Sequence, residues 1–99
     1  MNTYVLAFRG QPNRELPAGA DEKWGAWFAE LGSSIVNPGS RVGETAAVPA
    51  ADSGDPATAV ITGFTLVSAE DLAAATDLAR GCPGLAHGVS VEVGELVEM

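Results

Sequence analysis

The chain has 99 residues, the length of one folding domain, so a multi-domain machine is excluded before any motif is read. With 46% hydrophobic and 18% charged residues and a slightly positive mean hydropathy, it is too apolar for a disordered chain and too interrupted by charge for a membrane span. Five Lys and Arg against 13 Asp and Glu give a formal charge of −8, a field that repels a phosphate backbone and argues against nucleic-acid binding.

The first element is a strand over residues 4–8. Tyr4, Leu6 and Phe8 point one way and Val5 and Ala7 the other, so both of its faces are apolar and both need cover. Arg9-Gly10 and the polar stretch 11–15 end it. From about Pro17 the apolar spacing becomes helical, with Ala20, Trp24, Trp27, Phe28 and Leu31 on one side. Asp21 and Glu22 suit the positive end of the helix dipole, and Gly32 is placed as the left-handed terminator.

Residues 34–42 form a weaker strand broken by Asn37-Pro38-Gly39, which implies an edge, a bulge or a turn between two short pieces. A hairpin with residues 44–48 is expected. Residues 49–56 are small, acidic and turn-forming, the composition of a solvated loop. Strand character returns over 59–67, apolar on both sides. Ser68 then stands where a helix N-cap belongs, with Asp71 as a capping-box variant. Leu72, Ala75, Leu78 and Ala79 line one face of this second helix, Arg80 suits its negative end, Gly81 ends it and Pro83 prevents its continuation. Residues 89–99 alternate as a long terminal strand.

The predicted order β, α, β, β, β, α, β matches the split βαβ plan of a ferredoxin-like α+β domain, an antiparallel sheet with two helices on one face. Helices cover only one face, so the second apolar face calls for another layer. A second copy of the chain is the simplest source, and a homodimer packed sheet to sheet is expected.

The chain resembles the YCII-related domain family of small dimeric α+β barrel proteins. The resemblance is carried by TYVLAFRG at the start, WGAWFAELGSSIVNPG around the first helix, TGFTLVSAEDLAAATDLARGCPGLAHG over the fourth strand and second helix, and VSVEV near the end. It implies a ferredoxin-like fold, a dimer, and a cleft between the sheet and the first helix in which small molecules are bound or converted. Two departures matter. Many relatives carry Asp-Gly-Pro-Phe before the fourth strand, where this chain reads Ala59-Val60-Ile61-Thr62 leading to Gly63-Phe64. Others carry a first-helix histidine paired with a downstream aspartate. Trp24 stands near that place here, so the dyad does not carry over.

Among residues able to do chemistry, His87 comes first, as the only histidine and the only side chain that ordinarily titrates near neutrality. A single histidine in a turn is also well explained as a solvated residue. Trp24 is a candidate pocket wall, though with Trp27 and Phe28 its helical spacing equally fits core packing. Arg9 could hold a ligand carboxylate or stand in a surface ion pair, with nothing in the sequence deciding between them, whereas Arg41 reads as one half of a surface ion pair. Asn37 and Ser40 flank a turn, where such residues commonly bond their own backbone, and a ligand role is the alternative. Cys82, the only cysteine, has no internal partner and follows a helix C-terminus that disfavours a thiolate; it reads as a small buried hydrophobe in a reducing cytoplasm. Glu95 falls on the apolar phase of the last strand, explained by a bulge at Gly94, by a strand running beyond its own subunit, or by a buried, proton-carrying carboxyl.

No Gly-rich nucleotide loop, zinc-protease signature, nucleophile elbow or cluster of metal ligands occurs in the sequence, and no cofactor is expected. No run has the make-up of a signal or anchor. Two functions remain. One is a dimeric protein that binds a small molecule without catalysis. The other is a cofactor-free lyase or isomerase acting on a small aromatic or carboxylated compound with His87 as acid/base.

Overall fold

The computed structural model describes residues 1–11, 17–48, 51 and 59–98. Most of the polar stretch 11–15, most of the loop 49–56 and Met99 lie outside the described residues. The elements are β1 (Asn2–Gly10), α1 (Ala20–Leu31), β2 (Ile35–Arg41), β3 (Val60–Ala69), α2 (Leu72–Ala79) and β4 (Ser90–Glu95), with short 3₁₀ turns at Gly32–Ser34 and Pro83–His87. The four strands form one antiparallel sheet in the order β2-β3-β1-β4, the ferredoxin-like arrangement.

Strict alternation in β1 decides the layers. Tyr4, Leu6 and Phe8 are buried under the helices, while Val5 and Ala7 on the opposite face are only half-buried. β3 repeats the pattern, with Thr65, Val67 and Ala69 inward and Phe64 and Leu66 on the uncovered face. Trp27 and Leu31 of α1 and Ala75 and Ala79 of α2 close the core over Leu6 and Val67, both fully buried. Side chains of that kind contribute about 1.5–3 kcal/mol each on leaving water.

Several expectations are corrected. Residues 44–48 form no strand, and β2 pairs with β3 instead. The reason lies in Asn37-Pro38-Gly39. Asn37 Oδ1 accepts the Gly39 amide at 2.8 Å, Gly39 takes φ +76°, and the strand bulges there rather than turning back. A Cβ on Gly39 would sit 1.8 Å from the Phe64 carbonyl oxygen, so only glycine lets the bulge close on β3. Asp71, not Ser68, caps α2, its carboxylate accepting the Ala74 amide at 2.8 Å, because β3 runs on to Ala69. Leu72, expected on the packed face, is half exposed at the first helical position.

The last strand is also shorter than its alternation suggested, ending at Glu95. Glu95 is exposed and pairs opposite Tyr4 with unbroken register through Gly94, so neither a bulge nor burial explains it. It lies at the sheet edge, where Tyr4 donates a long 3.4 Å hydrogen bond to Oε2. Gly32 does terminate α1, at φ +49°. Among the described residues no helix is long and apolar enough to cross a membrane.

Candidate functional site

A cleft of about 860 Å³ opens between α1 and the end of the sheet formed by β2, β3 and the last residues of β1. Its helix wall is Trp24 and Phe28, spaced four residues apart on α1 and therefore stacked along one face. Trp24 also belongs to the core. Its indole meets Phe8 edge-on at 5.0 Å and Trp27 at 5.7 Å, so packing and pocket wall are two sides of one ring. Trp27 behind it is buried and donates its indole N–H to the Leu78 carbonyl at 3.3 Å, tying α1 to α2.

His87 reaches the same cleft from the Pro83–His87 turn. The turn is held from two sides. Its far end closes where Val89 N–H donates to the Gly84 carbonyl at 2.9 Å, and Gly88 takes φ +92° to allow it. At Gly84 the chain touches Trp24 so closely that a Cβ would lie 2.9 Å from its ring. His87 also borders a smaller cavity of about 320 Å³ lined by Pro17, Ala20 and Pro83. Both ring nitrogens are covered and have no hydrogen-bond partner among the described residues. An unpaired buried polar group costs about 1–3 kcal/mol, so one in a native fold calls for an explanation in strain, in function, or in a water or other group that pairs it.

Ser40 and Arg41, brought to the cleft by the β2 bulge, line its opposite side, with Phe64 of β3 beside them. The Ser40 hydroxyl donates to the Arg41 carbonyl at 2.9 Å. Thr62 and Thr65 line the floor and likewise donate to main-chain carbonyls, of Phe8 at 3.3 Å and Pro38 at 3.0 Å. Asp21 at the start of α1 and Glu44 just past β2 are the other charged groups of the cleft among the described residues.

Of the residues singled out by sequence, Trp24, Ser40 and His87 therefore converge. Two do not. Arg9 lies on the uncovered sheet face in register with Ser90 and Ile61 and is paired with Glu92 at 3.3 Å. Asn37 spends its side chain on the Gly39 amide. Arg41, read from sequence as an ion-pair residue, makes no ion pair with any described residue and stands in the cleft where Arg9 was expected. Cys82 is buried behind the site, and its burial pushes the thiol above its ordinary value in spite of hydrogen bonds to the backbone at Gly84 and Leu85. Among the described residues no three His, Cys, Asp or Glu side chains are grouped to hold a metal ion.

Comparison with protein-family models, with curated proteins and with solved structures finds no match to this chain.

Proposed function

We propose that the protein is a small-molecule binding module of the YCII-related type, its ligand seated in the cleft between α1 and the sheet. The observation that carries this reading is the meeting of an unpaired imidazole, His87, with the aromatic wall of Trp24 and Phe28 in one space of about 860 Å³. Ligand pockets usually enclose about 300–1,000 Å³ with mostly apolar walls and a few polar groups that fix orientation. Binding is favoured over catalysis because both His87 nitrogens are covered. A general base must bring a nitrogen within hydrogen-bond reach of the proton that it takes. The enzyme reading requires the ring to turn into the cleft.

The experiment is an NMR titration of the single imidazole and of the Trp24 indole N–H with neutral and charged aromatic compounds. Saturable shifts of both signals are expected, with His87→Ala retaining the fold and weakening binding only a few-fold. If neither signal moves with any compound at millimolar concentration, the cleft is not a binding site.

The same reading includes a homodimer joined through the uncovered sheet face. It is supported by the half-buried strip of Val5, Ala7, Phe64 and Leu66, over which neither helix packs. Light scattering should return twice the chain mass. A well-folded monomer at micromolar concentration would remove the dimer and leave the cleft untouched.

A further inference from the structure

Resting on the binding reading above, we infer that the ligand class of the cleft is a zwitterion with a planar apolar body, its carboxylate taken by Arg41 and its protonated amine drawn to Asp21 and Glu44. Among the described residues the charged inventory of the cleft is one guanidinium and two carboxylates, Asp21 on α1 and Arg41 with Glu44 on the end of β2 and the chain just past it. The guanidinium is uncommitted. Arg9 and Arg80 each hold a carboxylate, at 3.3 and 3.4 Å, whereas Arg41 holds none among the described residues. Its planar fork is the side chain best shaped to take a carboxylate by two parallel hydrogen bonds.

The neutral donors give the same direction. The hydroxyls of Ser40, Thr62 and Thr65 already donate to main-chain carbonyls and both His87 nitrogens are covered, which leaves Arg41 as the charged donor open to a ligand among the described residues. Electrostatics then selects among ligands. A plain carboxylate meets Arg41 but also two like charges, inside a chain of formal charge −8. A plain amine meets two carboxylates and is repelled by Arg41. Only a ligand bearing both signs pairs all three groups, and the rings of Trp24 and Phe28 provide faces for a flat body.

The test is a matched series on one ring: indole, indole-3-acetate, tryptamine and tryptophan, titrated by calorimetry and by the His87 NMR signal. Tryptophan should bind about tenfold or more tighter than either singly charged analogue, since each charge-assisted hydrogen bond is lost in turn. Arg41→Gln should erase the advantage of tryptophan over tryptamine, and Arg41→Lys should restore part of it. Asp21→Asn with Glu44→Gln should erase the advantage over indole-3-acetate, and added salt should shrink both. Circular dichroism of each variant separates misfolding from lost affinity. If indole binds and the three charged forms match it, or one singly charged form binds best, the zwitterion inference fails while the binding cleft stands. If indole itself leaves His87 and Trp24 unmoved and no charged form binds, both fail together.

Discussion

The indole of Trp24 stands edge-on to the ring of Phe8, centroids 5.0 Å apart and planes at 90°, so the helix wall of the cleft and its sheet floor are one packed unit. Phe8 is 5% exposed. Phe8→Ala should destabilise the protein by about 3–5 kcal/mol, read as a lower urea midpoint at unchanged slope. The Trp24 indole N–H signal should shift in the folded variant. A loss under about 1 kcal/mol would mean that the rings pack independently.

Two glycines should respond in opposite senses. Gly39→Ala meets a positive φ and the Phe64 carbonyl at 1.8 Å, and it should cost at least about 1–3 kcal/mol while releasing Ser40 and Arg41 from the cleft rim. Gly25 lies exposed within α1 with nothing near its absent Cβ. Gly25→Ala should stabilise by roughly 0.5–1 kcal/mol through helix propensity alone. Thermal melts of the pair decide, and equal effects would contradict the bulge geometry.

The capping of α2 is tested by Asp71→Ala, which removes the acceptor for the Ala74 amide and should cost about 1 kcal/mol. Ser68→Ala should cost less, since that hydroxyl makes only a 3.5 Å bond to the Ser34 carbonyl. The reverse ranking would restore Ser68 as the cap.

Cys82 sets an alkaline limit. Its folded-state pKa is raised by burial above the ordinary thiol value of 9.0, so below that value folded and unfolded chains both carry the proton and the contribution to stability is complete. As pH climbs from 9.0 to the raised value, the unfolded chain ionises first and stability falls. Unfolding midpoints followed upward from neutral pH should decline more steeply in the wild type than in Cys82→Ala. At neutral pH the native thiol should resist an aromatic disulfide reagent that modifies it at once in denaturant.

The sheet, its two helices and the apolar faces were legible because periods of two and of 3.6 residues survive in Tyr4, Leu6, Phe8 and in Trp24, Trp27, Leu31. His87 and Trp24 were singled out by chemical type, with solvent exposure and core packing as the alternatives, and both line the cleft. Arg41 was not. β2 slips register twice against β3, between Ile35 and Asn37 and again between Asn37 and Ser40, so counting alternate residues along it cannot say which way Arg41 points. Arg9 suffered the opposite fate: the pairing with β3 shifts register between Phe8 and Arg9, but β1 keeps its alternation against β4, and that alternation carries Arg9 to the uncovered face. Ser68 was misread because capping residues and edge-of-strand serines look alike until the strand's end is known.

β1 lies between β3 and β4, with Tyr4 opposite Val67 on one side and Glu95 on the other. A ribosome therefore delivers an inner strand first and its two flanks last, more than sixty and ninety residues later. Tyr4, Leu6 and Phe8 therefore lack their full set of strand partners until β4 has emerged, so the sheet closes only once the whole domain is available.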